Sequence, residues 1–317
     1  MSSSVQFPIK PFRFGIQAHG APDAATWVAL AKRAEANGFD VLSMPDHFTD
    51  QLAPVPALMS AADATKNLRI GALVWDNDYK HPVVLAKEVA TMDVLSGGRV
   101  ELGMGAGWMV SDYEQAGMPY DSPGVRIDRM IEGIEVMRQC FADGKANFSG
   151  KHYTITNYDG LPKPVQKPGP PLLIGGGGKR VLTYAARHAD IIGINATLTA
   201  GAVGPEAIST MTAEAVDAKV DIVRGAVGDR LNHVEMNIRA FMVNVTDDAD
   251  GAISRLAKGL GVEPNMIAET PFALMGPPEK LVEDLLARRE RWGFSYVIVG
   301  GEDVDSFAPV VAALAGK

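Results

Sequence analysis

Four short stretches of this 317-residue chain carry side chains able to do chemistry, and each follows a run of apolar, strand-forming residues. In Pro45-Asp46-His47-Phe48 a carboxylate stands beside an imidazole, a pair that can orient a ligand and exchange a proton with it near neutral pH. An Asp capping the next turn beside a structural His is the competing reading. Trp75-Asp76-Asn77-Asp78, followed by His81-Pro82, reads as a turn, with His81 packing at a helix start. Gly103-Met104-Gly105-Ala106-Gly107-Trp108 places glycines at alternate positions, which brings bare backbone close to something flat or anionic, and Trp108 can cover an aromatic ring. A tight turn asks for the same residues. In Gly175-Gly176-Gly177-Gly178-Lys179-Arg180, unobstructed amides, a helix start and two cations together make an anion site, most simply for a phosphate.

Other chemistries find little support. The spacing GxxxxGK[ST] of a Walker A loop is missing, and the glycines lack the acidic residue of a Rossmann fingerprint. His19, His47, His81, His152, His188 and His233 form no cluster at ligand spacing, so no metal is expected. A single site from His19, Asp46 and His47 stays geometrically possible. There is no GxSxG elbow for a serine nucleophile. The one cysteine, Cys140, falls in an apolar helical stretch and reads as a small core residue suited to a reducing cytosol. A net charge of −8 argues against a broad nucleic-acid face, and no run approaches the ~18 apolar residues of a membrane span. Residues 1–10 read as a disordered leader, and the protein as soluble and cytoplasmic.

The elements that must hold these stretches alternate strand and helix along nearly the whole chain. Strands are expected at 12–17, 40–44, 68–75, 99–104, 171–174, 190–194, 234–245 and 295–299. Helices are expected at 26–37 (capped by Thr26, stopped by Gly38), 54–64, 82–95, 126–141, 180–188, 206–225, 249–260, 278–292 and 307–315. Eight strands, each followed by a helix and rich in Val, Ile and Leu, fit a parallel sheet covered on its outside. The expected fold is a single (β/α)8 TIM barrel spanning 1–317. It exceeds the ~250 residues typical of that architecture by an insertion at 146–171, which holds a hairpin near 152–156 and a Pro-rich run. A doubly wound open sheet is the rival.

Taken in order, these segments resemble the bacterial luciferase-like monooxygenase superfamily, and within it the branch that uses the deazaflavin coenzyme F420. The likeness is carried by Asp46-His47-Phe48, Gly71-Ala72-Leu73-Val74, His81-Pro82, Leu95-Ser96-Gly97-Gly98-Arg99, Leu102 to Trp108, Lys163 to Pro168, Ile174 to Gly178, and Ala185 to Asp190, and it becomes vague beyond Asn195. The resemblance implies an oxidoreductase moving a hydride between F420 and a small organic substrate. An FMN-dependent monooxygenase and a non-catalytic cofactor-binding protein are the alternatives, and the relatives are often dimers. It implies a cis peptide at Leu73–Val74 beneath the ring, with His47 as proton donor oriented by Asp46, and Trp108 and Trp75 as apolar walls, a place in the core being the alternative for Trp75. It further implies cofactor contacts at Asp46, Asp76, Ala106, Gly107 and Ser111. The phosphate falls to Gly176, Gly177, Gly178, Arg180 and Val181, and the substrate to Asn195. A bulky residue at Gly177 is expected to abolish cofactor affinity with the fold intact. Sugar-phosphate dehydrogenases of this branch carry a glutamate where Trp108 stands, so glucose-6-phosphate oxidation is not expected.

Overall fold

The computed structural model of the chain describes residues 6–198, 201–202 and 204–317. Eight parallel strands close into a barrel: Arg13–Gln17, Val41–Met44, Arg69–Ala72 continued by Trp75–Asp76, Val100–Gly105, Leu172–Gly176, Ile191–Ile194, Glu235–Arg239 and Phe294–Gly300. Closure is visible in the pairing, since the first strand meets both the second (Gly15↔Val41) and the eighth (Arg13↔Tyr296), and the third meets the fourth (Ile70↔Val100). The open-sheet rival is thereby excluded.

Alternation along each strand sends one set of side chains outward to the helices and the other inward. Phe12, Phe14 and Ile16 join the outer core, whereas Arg13, Gly15 and Gln17 face the interior. At the base of the barrel, Glu101 accepts from Arg13 (2.6 Å), Arg69 (3.0 Å) and Tyr296 (3.2 Å), and Arg13 also pairs with Glu235 (2.7 Å). Burial pushes the Glu101 carboxyl up, but the two guanidinium groups outweigh it and hold it below the usual range. Above this layer Val41, Leu173, Ile191, Tyr296 and Ile298 fill the middle.

The top is closed by the bulge between Ala72 and Trp75, where the Leu73–Val74 peptide is cis. A Cβ on Gly103, Gly105 or Gly175 would meet the Val74 side chain at 3.3, 2.5 and 3.5 Å. Gly105 therefore admits Val74 into the barrel, and Gly103 makes way first for the Ala72 carbonyl, which such a Cβ would strike. The alternate glycines are expected to meet a flat or anionic ligand or to serve a tight turn, and for Gly103 and Gly105 the neighbouring strand is the first constraint. Gln17 donates to the Leu73 carbonyl (2.9 Å), satisfying a backbone group that the bulge removes from the ladder.

Several expectations need correction. Asp23, not Thr26, caps the first helix, Ala24–Ala36, and accepts from the Thr26 amide (2.7 Å). The expected helix at 206–225 is two, Pro205–Ser209 and Ala213–Val227, because Thr210 bonds back to Ala207 and Thr212 caps the second. Strand 234–245 is also two. At Phe241 the chain leaves the barrel, its amide turning to the Phe272 carbonyl (3.0 Å). Met242–Val245 then pairs with Ala273–Gly276 in a side sheet backed by helices Ala249–Leu260 and Pro264–Glu269. The insertion carries the hairpin as Ala146–Ser149 and Thr154–Tyr158, its turn amides gathered by Glu132. Of the expected leader, residues 1–5 lie outside the described residues, and Phe7 packs on the core rather than hanging free. Cys140 is buried in the core. No described helix is long and apolar enough to cross a membrane.

Candidate functional site

Asp46 and His47 follow the second strand directly, and both sit at the barrel mouth with different partners. Asp46 is buried and its Oδ2 accepts from the Asp76 amide (3.2 Å), just past the bulge. His47 Nδ1 lies 2.7 Å from Asp112 Oδ2, which also accepts from the Tyr79 hydroxyl (2.8 Å). The expectation that Asp46 orients His47 is thus corrected: Asp112 does. Asp112 sits on a short helix, Val110–Ala116, that follows the Gly-rich turn and that the hydrophobic pattern did not disclose. A carboxylate at Nδ1 places the ring proton there and leaves Nε2 as the atom that can exchange a proton with a ligand. Trp108 stands edge-on to His47, ring centres 5.6 Å apart. Trp75 is 1 % exposed and belongs to the outer core, so it is no wall of the site.

Behind this pair lies a second buried layer. Asp76 accepts from the Asp78 amide (2.9 Å) and from the Tyr113 hydroxyl (3.2 Å), which also reaches Asp78, and Arg129 pairs with Asp78 (3.1 Å). Burial, joined by repulsion from Asp78 and Asp46, pushes the Asp76 carboxyl up to about 7. Burial likewise lifts Asp46 to about 6, despite the opposing Asp76 amide. Gly107 has φ +73°, and a Cβ there would strike Tyr113 and the Asp76 carboxylate, so only glycine lets the turn pass. Arg126 holds that turn by donating to the Ala106 (3.2 Å) and Gly107 (3.3 Å) carbonyls. Ser111 lies in the first turn of the helix that carries Asp112.

The tetraglycine run divides its duties. Gly175 faces Val74 and Gly176 faces Val181, while a Cβ on Gly177 would meet the Asn195 and Ala196 carbonyls. Gly177 is therefore required by the next loop, which corrects the expectation that its replacement would be local. Gly178 opens on free space and begins helix Lys179–His188 with no side chain capping its first amides. Arg180 pairs with Asp128 and donates to the Gly124 carbonyl (3.1 Å), so an anion there would share it with Asp128. Asn195 spends its side-chain oxygen on the Ala196 amide (2.8 Å), and its carbonyl accepts from the buried Lys219 (2.7 Å), which also holds the Thr210 carbonyl (2.7 Å). Part of the 195–205 stretch, residues 199, 200 and 203, lies outside the described residues.

The structure thus brings Asp46, Asp76, Ala106 and Gly107 to the strand ends beside the Leu73–Val74 bulge and sets His47 against Trp108, with Ser111 on the helix that follows, and Gly176 to Val181 and Asn195 where the fifth and sixth strands end. Asp112, Tyr79, Tyr113, Arg126 and Lys219 escaped the sequence reading. Only Asp112 had a signal, its place four residues beyond Trp108 on a helical turn. His19 is exposed, and among the described residues no group of three or more His, Cys, Asp or Glu is placed to hold a metal.

Comparison with known proteins follows the same outline. Residues 9–296 match the sequence model described as luciferase-like monooxygenase, far beyond Asn195, where the motif likeness becomes vague. An F420-dependent glucose-6-phosphate dehydrogenase of Amycolatopsis mediterranei (strain U-32) is 33% identical over 177 residues, 51% of this chain and 51% of that protein. The FMNH(2)-dependent dimethylsulfone monooxygenase of Pseudomonas putida is 25% identical over 68% of this chain and 56% of its own length. The chain thus spans about half the length of these curated relatives. Among solved structures, the coenzyme F420-dependent tetrahydromethanopterin reductase of Methanopyrus kandleri superposes with a TM-score of 0.75 at 20% identity, covering 96% of this chain and 98% of that one. The long-chain alkane monooxygenase LadA gives 0.76 at 16%, covering 96% and 92%. At those identities the likeness is one of fold. The match across almost the entire barrel establishes that the chain belongs to the luciferase-like monooxygenase family.

Proposed function

We propose that this chain is an oxidoreductase that exchanges a hydride between coenzyme F420 and a small organic substrate at the barrel mouth. The observation that carries the reading is the His47–Asp112 pair, a positioned proton-exchanging group set beside the bulge and within one side chain of Trp108. The residues present fit a planar ring with a phosphate arm. The bulge offers a floor, Asp46, Ala106 and Gly107 a rim, and the uncapped helix start at Gly178 and Lys179 an anion cradle that no Cβ fills. Leu73, Val74, Asp76, Ser111, Gly176, Gly177, Arg180 and Val181 complete the cofactor contacts of this proposal, and Asn195 the substrate contact.

When bound, the deazaflavin supplies two-electron hydride exchange at the ring carbon that replaces flavin N5. His47 gives or takes the accompanying proton through Nε2, and Asp112 keeps the ring turned. Trp108 excludes water from the face of the site. Asp46 and Asp76, lifted toward neutrality, can donate as well as accept hydrogen bonds to a ring edge. A cytoplasmic homodimer belongs to the same proposal, and sedimentation of the purified protein checks the dimer.

The second reading, an FMN-dependent monooxygenase, draws on the likeness to the dimethylsulfone enzyme and on Trp108 in place of a glutamate. Fluorescence titration with F420 and with reduced and oxidised FMN separates the two. Tight F420 binding with turnover of an acceptor supports the proposal, and FMN binding without F420 binding defeats it. Binding without turnover on a broad substrate panel points to a non-catalytic carrier.

A further inference from the structure

The cofactor reading occupies the loops after strands two to six and leaves the sector of strands seven, eight and one without a ligand. At its mouth end that sector carries Arg239. Arg239 ends the seventh strand on the inward face it shares with Glu235 and Asn237. Its Nε donates to Gln17 Oε1 (3.1 Å) on the first strand, and Nη1 to the Ala240 carbonyl. Gly300, register partner of Gln17 on the strand between them, adds no side chain, and the space a Cβ would fill there is taken by the Glu302 carboxylate. Gln17 in turn holds the Leu73 carbonyl, which ties Arg239 to the bulge through one intervening side chain.

No carboxylate forms an ion pair with Arg239 among the described residues, although the other interior arginines, Arg13 and Arg69, each have one. Glu302 and Asp303 act on it only at longer range. Nη2 has no hydrogen-bond partner among the described residues and is not sealed in protein. A half-buried guanidinium stripped of much of its water, with Glu302 and Asp303 beyond ion-pair distance and Nη2 unpartnered among the described residues, gains most from an oxyanion that reaches Nη2 directly.

We propose that Arg239 receives the oxyanion of an acidic substrate, a carboxylate or a phosphate, and holds it over the Gln17 edge of the bulge. This rests on the site reading above. It goes further in naming the substrate class and in assigning the sector that the sequence reading left empty.

The test uses benzoate and phenyl phosphate against neutral benzamide, alike in shape and different in charge, on the whole chain and on R239M, R239Q and R239K. Thermal unfolding is read for the small molecules, and fluorescence titration for F420 and FMN. One or both anions are expected to raise the wild-type Tm by about 2–4 °C more than benzamide does. That difference should vanish in R239M and R239Q, persist in R239K, and leave cofactor affinity within about threefold throughout. Whichever anion gives the larger shift identifies the substrate group. If the anions and benzamide act alike on wild type, or R239M keeps the difference, the inference is wrong while the cofactor site stands. If R239M and R239Q weaken the cofactor more than about tenfold, the cation serves the cofactor and the inference falls. Failure of wild type to bind either cofactor removes the site reading and this inference with it.

Discussion

At the scale of the residue, the proposed chemistry separates His47, assigned to move a proton, from the buried carboxylates whose protonation follows pH. Asp112→Asn keeps the shape beside His47 but removes the charge, so kcat should fall about 10²-fold, in the range of a general acid–base contribution, with cofactor affinity nearly unchanged. His47→Ala should cost about as much, and the double variant little more, because the two act as a unit. Additive losses would show that Asp112 does something other than position His47. Asp76 makes a thermodynamic prediction. Its carboxyl titrates near 7 when folded and near 3.8 when exposed, so between those values the folded chain holds a proton that the unfolded chain has lost. Its contribution to stability is complete below about pH 4 and declines as pH rises through 7, by at most about 4 kcal/mol over three units and less where Asp46 and Asp78 share the protons. Asp76→Asn should flatten the fall in urea midpoint between pH 5 and pH 8. An unchanged slope would mean that Asp76 is ionised in the folded protein at pH 5.

At the scale of the element, glycines that look alike in the sequence divide into those packed against other chain segments and Gly178, which opens on free space and which the proposal assigns to the ligand. Gly178→Val meets open space and should leave Tm within about 2 °C, while crowding the helix start enough to cut F420 or FMN affinity at least about tenfold. Gly177→Val drives a side chain into the Asn195–Ala196 backbone and should lower Tm by several degrees whatever its effect on binding. The reverse ranking by calorimetry would place the cradle one residue earlier. The barrel strands and most helices were legible because hydrophobic period and capping residues are local signals, and Asp46, His47 and the two Gly-rich runs were legible because they follow strands. What stayed hidden depends on the partner across space. Gly103 makes way for the Ala72 carbonyl and Gly105 for Val74, Asp112 replaces Asp46 beside His47, and the break at Phe241 is masked because the apolar run 240–243 reads as one strand continuing into the side sheet. Arg239 and Lys219 carried no local mark at all.

At the scale of the molecule, one barrel carries two polar layers with opposite assignments. At the base, Glu101 is 5 % exposed and meets Arg13, Arg69 and Tyr296. At the mouth, the loops that follow the strands hold Asp46, His47, Asp112 and the Gly178 cradle. A barrel that binds at its C-terminal face and stabilises at its N-terminal one should let the two be damaged separately. Glu101→Ala leaves two desolvated guanidinium groups without their carboxylate, and should cost about 3–5 kcal/mol of stability. At temperatures where the variant remains folded, its cofactor affinity and kcat should stay within about twofold of wild type. Asp112→Asn should show the mirror image, with Tm nearly held and kcat lost. A Glu101→Ala protein that stays folded yet binds cofactor tenfold more weakly would mean that the base layer sets the height of the bulge through Gly71 and Gly103, joining the two ends of the barrel into one mechanical unit.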